Sequence, residues 1–160
     1  MDILHLPIEI INEILQYLTT KEICNLLLIS KSFQKIFLNK KAKLNLNFFG
    51  TKIYDDYLKY FKCIHIINLS KCNQITGKGL EFLKGVHTIK LYGCNQIRDK
   101  GLEFLKGVHT INLYGCDQIT DKGLEFLKGV HKIYLYECVQ ITDKGLEFLK
   151  GVTGFILYKK

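Results

Sequence analysis

Residues 79–100, 101–122 and 123–144 read GLEFLKGVHTIKLYGCNQIRDK, GLEFLKGVHTINLYGCDQITDK and GLEFLKGVHKIYLYECVQITDK, and the three copies differ in five of 22 columns. Nothing else in the chain limits its fold as tightly. A period in this range marks a solenoid, in which each copy is one supersecondary unit stacked on its neighbours. Within a copy the apolar positions are Leu83, Val86, Ile89, Leu91, Cys94 and Ile97, followed by Leu102 and Leu105. The Ile89-x-Leu91 step has the two-residue period of a strand. The run from Asp99 through Leu102 to Leu105 predicts a short helix with an acidic first turn. A coil of strand, turn and short helix cannot cover its own apolar faces, so only stacking makes it stable.

The six cysteines form no CxxC pair, and Cys72, Cys94, Cys116 and Cys138 recur at the repeat period. They are expected to be small, inward-pointing apolar side chains beneath the strand, without metal or cofactor. No secretory core or membrane span is visible in the first twenty residues, where Glu9, Asn12 and Glu13 interrupt the apolar run. Reduced thiols in a cytoplasmic or nuclear setting are the corresponding expectation. The net charge of +8 suggests nucleic acid at first sight, but residues 79–144 carry nine Lys/Arg against eight Asp/Glu. The surplus lies at the ends, in KIFLNKKAK (35–43) and Lys159-Lys160. A continuous cationic face, which nucleic acid requires, is not expected.

His65, His87, His109 and His131 form a second column, expected as a solvated edge. Residues flanking the buried strand pair should line one open face: Thr88, Lys90, Tyr92, Thr110, Asn112, Tyr114, Lys132, Tyr134 and Tyr136. Ile66, Asn68, Ser70, Ile156 and Tyr158 extend it. A tyrosine column thus runs through 92, 114, 136 and 158. Tyrosine offers rigid amphipathic area at low entropic cost, which suits protein recognition, and stacked tyrosines also stabilise a sheet. Two of the five variable columns, 88/110/132 and 90/112/134, fall on this face, and the other three follow in the turn.

Residues 1–43 do not repeat. In LPIEIINEILQYL (6–18), Ile10, Ile11, Ile14, Leu15 and Leu18 share a helical stripe, with Pro7 in the permissive first turn. Thr19 and Glu22 form a capping box that opens a second helix, with Ile23, Leu26 and Leu27 inward. A third helix starts near Ser30, with Ile29, Phe33, Ile36 and Phe37 on one side. Three short helices make a small core with apolar surface to spare, which predicts a partner.

The pattern L-x-x-V-x-x-I-x-L-x-x-C-x-x-I-T-D-x-G-L-x-x-L resembles the cysteine-containing class of leucine-rich repeat, over about residues 57–158, with a half-copy near Leu44-Asn45-Leu46. The front resembles an F-box: Leu6-Pro7-x-Glu9-Ile10, Ile14-Leu15-x-x-Leu18, Glu22-Ile23, Leu26 and Ile29-Ser30-Lys31-x-Phe33. It departs from that pattern at Ile29, where Val is usual, and at Phe33, where Trp is usual. The resemblance implies an α/β chain: a three-helix F-box over 1–43, then a short leucine-rich-repeat solenoid over 44–160. The solenoid would have about five strands in a parallel sheet on the concave face. It further implies a non-catalytic adaptor of a Skp–cullin–F-box ubiquitin ligase. The Skp adaptor would dock on Leu6, Pro7, Ile10, Ile14, Leu15, Leu18, Ile29 and Phe33, and the concave face would hold a protein substrate. A ligase-independent interaction module or decoy is the alternative. At the last strand, Lys159 and Lys160 are read as gatekeepers against edge pairing, or alternatively the edge pairs with a second copy or with substrate.

Overall fold

The computed structural model describes residues 6–38, 44–154 and 156–157. Three helices lead: α1 (Ile8–Tyr17), α2 (Thr20–Ile29) and α3 (Lys31–Leu38). The capping box at α2 forms as expected. The Thr19 N–H donates to Glu22 Oε2 at 2.7 Å, and the Glu22 N–H donates to Thr19 Oγ1 at 3.3 Å. At α3 the Ser30 hydroxyl accepts the Phe33 N–H at 3.1 Å.

Among the described residues six short strands follow, all parallel and in chain order: β1 (Asn45–Asn47), β2 (Ile66–Asn68), β3 (Thr88–Lys90), β4 (Thr110–Asn112), β5 (Lys132–Tyr134) and β6 (Ile156–Leu157). The repeat alone suggests about five. The sixth is the half-copy at Asn45, which supplies a full rung. Register explains why it escapes a strict 22-residue period. Asn45 faces Ile66 and Ile133 faces Ile156, so the first and last steps are 21 and 23 residues, while Ile67, Ile89, Ile111 and Ile133 lie 22 apart.

The returning limb of four rungs is a four-residue α-turn that tightens into a 3-10 turn. These α-turns are α4 (Asp55–Leu58), α5 (Gly77–Leu80), α6 (Asp121–Leu124) and α7 (Asp143–Leu146). The segment Asp99–Leu105 is 3-10 throughout.

The predicted inward column is buried in every copy: Ile67, Ile89, Ile111 and Ile133, and Leu69, Leu91, Leu113 and Leu135 are fully enclosed. The cysteine column serves more than volume. Cys72, Cys94, Cys116 and Cys138 each donate an S–H to the carbonyl of Phe48, Leu69, Leu91 or Leu113 on the preceding rung, at 2.9–3.1 Å. Each thiol thereby finds an acceptor one rung away, a carbonyl that also accepts the backbone N–H three residues on.

Two further ladders join successive rungs, the first of them built from the GLEFLK segment. On the outer flank, Lys84, Lys106 and Lys128 hold their ammonium groups 4.9–5.3 Å from the rings of Phe104, Phe126 and Phe148 on the next rung. On the helical flank an aspartate grips the following rung. The Thr76 N–H and Oγ1–H donate to Asp55 Oδ1 and Oδ2 at 2.8 and 2.6 Å. Thr120 does the same to Asp99 at 2.8 and 2.6 Å, and Thr142 to Asp121 at 2.7 Å for both. The same threonine oxygens then cap α5, α6 and α7 by accepting the N–H of Lys78, Lys122 and Lys144.

The helices at the front do not have a core of their own. Ile11, Leu15, Ile23, Leu27, Phe33 and Ile36 join one apolar cluster with Leu44, Phe48 and Phe61 of the first rung. The Asn45 N–H donates to Asn12 Oδ1 at 3.2 Å, tying α1 to β1. The shortage of core in a three-helix unit is met by the array beneath it.

Candidate functional site

The first candidate surface lies on the helices. Four consecutive apolar residues, Leu26 to Ile29, close α2. At about 100° per residue they point all around the helix, so a single core cannot take them all. Leu27 is buried and Leu26 is half-buried, whereas Leu28 is 57% and Ile29 81% exposed. Ile29 therefore ends α2 facing solvent, rather than lining the inner side of α3 with Phe33 and Ile36. On α1, Ile10 is 40% exposed and Tyr17 89%.

The predicted docking residues consequently divide. Pro7, Ile10 and Ile29 are exposed, and Leu6, Ile14 and Leu18 are half-buried. Leu15 and Phe33 are buried in the chain's own core and support the surface from below. Leu28 and Tyr17 were missed by motif reasoning, although the run of four apolar residues signals that one of them must face out.

The second candidate surface is the open face of the sheet. Lys90 and Tyr136 are exposed, and Thr88, Tyr92, Thr110, Asn112, Tyr114, Lys132 and Tyr134 are half-buried. Ile66 and Asn68 are half-buried as well, but Ser70 is buried. Tyr158, Lys159 and Lys160 lie outside the described residues, as does the side chain of Ile156.

Tyr92 and Tyr114 stack with ring centroids 4.6 Å apart and planes 12° from parallel. Between Tyr114 and Tyr136 the separation grows to 5.2 Å and the planes tilt to 54°. The column one residue later explains the change. Gly50, Lys71, Gly93, Gly115 and Glu137 all have φ between 58° and 67°, the left-handed turn that ends each strand. Glycine adopts it freely, and any other residue at a cost of about 1–2 kcal/mol. The Tyr92 ring lies over Gly115, within 3.7 Å of where a Cβ would stand. Tyr114 meets Glu137 instead and hydrogen-bonds its carboxylate. That bond, followed by partial desolvation, holds the phenol above its usual range.

Lys71 plays the corresponding role at the other end. Where Ser70 leaves a gap in the aromatic column, the Lys71 ammonium sits 5.8 Å from the Phe49 ring centre and 5.2 Å from that of Tyr92. Both non-glycine residues in the strained column thus bring a charge to the tyrosine stripe. Backbone strain of this kind concentrates where a surface is functional.

Alongside runs the histidine column. Ring centroids are 4.6, 4.4 and 4.4 Å apart from His65 through His131, and the last three rings are exposed. Partial desolvation and the flanking His87 and His131 rings lower the pKa of His109. Among the described residues no group of three or more His, Cys, Asp or Glu is placed to hold a metal ion.

Between α1 and the first strands lies a cleft of about 560 Å³, to which Asn12, Gln16, Asn45, Asn47, Asn68 and Lys90 contribute polar groups. Asn68 Nδ2 donates to Asn47 Oδ1 at 2.9 Å, which fixes the edge of this amide-rich floor.

Family comparison accounts for both halves. The F-box domain model matches residues 3–45, and a leucine-rich-repeat model matches residues 62–84. The chain carries an F-box domain followed by a leucine-rich repeat. The F-box match takes in all three leading helices, and the leucine-rich-repeat match takes in β2 and α5. No curated protein sequence matches the chain. Among solved structures it is similar to one in the Rad7–Elc1 complex of yeast, at 11% identity and a TM-score of 0.45. That similarity covers 77% of this chain and 45% of the yeast chain.

Proposed function

We propose that this chain is a substrate-recognition adaptor of a Skp–cullin–F-box ubiquitin ligase, itself non-catalytic and acting in the cytoplasm or nucleus. The F-box would dock the Skp adaptor through Pro7, Ile10, Leu28 and Ile29, with Leu6, Ile14 and Leu18 alongside. The repeats would hold a protein for ubiquitination against Tyr92, Tyr114 and Tyr136, with Thr88, Lys90, Thr110, Asn112, Lys132 and Tyr134 around them. Catalysis of transfer belongs to the rest of the ligase, and this chain contributes proximity by raising the effective concentration of a substrate lysine.

One observation carries the reading. A helical unit that shares its core with the array still turns Ile10, Leu28 and Ile29 to solvent. Burying a side chain of this size in a partner returns about 1.5–3 kcal/mol. The amide groups between α1 and β2 suit a polypeptide backbone, which presents donors and acceptors in alternation. Calorimetric titration of the full chain with purified Skp adaptor tests the proposal. A saturable complex weakened at least tenfold by Ile10→Asp or Ile29→Asp is expected. Absence of binding by the wild-type chain would leave the ligase-independent module as the better account.

A further inference from the structure

The asparagines of the open face are all held the same way round. Asn47, Asn68, Lys90 and Asn112 occupy one outward column on four consecutive strands. Each asparagine oxygen accepts the backbone N–H two residues on: that of Phe49 at 3.2 Å, Ser70 at 3.1 Å and Tyr114 at 2.9 Å. Asn47 Oδ1 also accepts from Asn68 Nδ2 at 2.9 Å, so both of its lone pairs are taken. The column therefore offers N–H groups outward: the Asn47 and Asn112 amides, the second Asn68 hydrogen, and the Lys90 ammonium among them. It spans three rungs, about 14 Å at ~4.8 Å per strand, which is the length of four or five extended residues.

Charge on this face has the same sense. The outward strand columns, with the left-handed column beside them, hold Lys71, Lys90 and Lys132 but a single acid, Glu137, which Tyr114 already hydrogen-bonds. Asn47, Asn68 and Lys90 stand in the cleft of about 560 Å³ beneath α1, and neither Glu9 nor Glu13 of that helix lines it. Among the described residues no carboxylate forms an ion pair with Lys90. Two residues on from Lys90, the Tyr92–Tyr114 stack supplies an aromatic surface, with the Lys71 ammonium at its edge. Nucleic acid would require cations along the whole face, whereas here they are interspersed with amides and rings.

We infer that the segment held on this face is acidic. It is an extended stretch of a partner polypeptide that sets an aspartate or glutamate carboxylate on Lys90 and the flanking Asn68 and Asn112 amides. An apolar side chain beside that acid packs on the Tyr92–Tyr114 stack. The inference rests on the open face being the substrate surface, and it names the chemistry of the substrate; it does not require the F-box to engage a ligase.

Selection of twelve-residue peptides from a random display library on the immobilised full chain, at low salt, tests it. Sequences with Asp or Glu next to Leu, Phe or Tyr should be enriched, and Lys90→Glu should turn the selection towards basic peptides. A resynthesised acidic peptide should bind in calorimetry and weaken with added salt. Its affinity should fall about tenfold or more with Lys90→Gln, or when its own acids become amides, as loss of a charge-assisted contact does. Lys100→Gln, the same change of charge on the helical flank, should leave it unaltered. Neutral or basic peptides selected by the wild-type chain, no enrichment at all, undiminished binding by Lys90→Gln, or tighter binding of an oligothymidylate would each overturn the inference. The Skp titration is read separately: acidic peptides selected by a chain that does not bind Skp uphold this inference and sink the ligase reading, and Skp binding without acidic selection does the reverse.

Discussion

Replacing Asp99 with alanine should cost this chain far more than its place on an exposed flank suggests. Asp99 accepts the Thr120 N–H at 2.8 Å and the Thr120 hydroxyl at 2.6 Å, and its Oδ1 lies over Gly123, 2.6 Å from where a Cβ would stand. Hydrogen bonds to a charged group contribute roughly 1.5–3 kcal/mol each when sheltered. Asp99 and Thr120 are half-buried, so water can re-solvate part of what is lost. A net destabilisation of about 2 kcal/mol is the expected result. For a chain of this size that lowers Tm by roughly 4–8 °C.

The consequence should extend beyond stability. The step before it, at Gly77 and Arg98, already lacks its aspartate, so Asp99→Ala leaves two successive steps unlaced. Solenoid stability is a sum of nearest-neighbour terms, so weakening adjacent interfaces should divide the array into less cooperative units. Urea unfolding followed by circular dichroism should show a lower midpoint and a shallower slope. A double-mutant cycle with Thr120→Val isolates the hydroxyl's share. A loss below about 0.5 kcal/mol, which is the range of an ordinary surface change, would refute the claim that the ladder binds the rungs together.

Two further predictions follow from the columns. Burial pushes the Cys94 thiol up to about 12 and Cys24 and Cys138 to about 11, and raises Cys72 and Cys116 as well. Iodoacetamide near neutral pH should therefore add to the half-exposed Cys63 alone in the native chain and to all six cysteines after unfolding, and adducts on Cys94 or Cys116 without unfolding would contradict it. Partial desolvation and its ring neighbours depress the pKa of His109, so the folded chain binds fewer protons there than the unfolded one. That stability is present above the unfolded value of about 6.5 and is lost as pH falls through the folded one. Tm should drop on acidification from about pH 7, and His109→Asn should flatten the drop; an unchanged profile would contradict the assignment.

The repeat made much of this legible in advance. The Ile89 and Leu91 columns, the cysteine column and the stacked tyrosines all follow from reading one copy as a rung and laying it on the next. The aspartate–threonine ladder did not follow. Asp99 at the start of a short helix has a sufficient local explanation in the helix dipole, and its partner lies 21 residues away. The left-handed column was hidden because Lys71 and Glu137 occupy turns in which glycine is the expected signal. On the helices, motif matching selected Leu15 and Phe33 as docking residues, although the array claims both for its core. Which side of each helix the first rung would cover was not written in the helices themselves.

The separation of hook and face is the centre of this account, and affinity capture of the tagged full-length chain from cells, read by quantitative mass spectrometry, tests it most directly. Ile10→Asp with Ile29→Asp should lose the Skp adaptor and keep cargo. Tyr92→Ala with Tyr114→Ala should lose cargo and keep the adaptor. Retention of the adaptor by the helix variant, or of all cargo by the tyrosine variant, would contradict it.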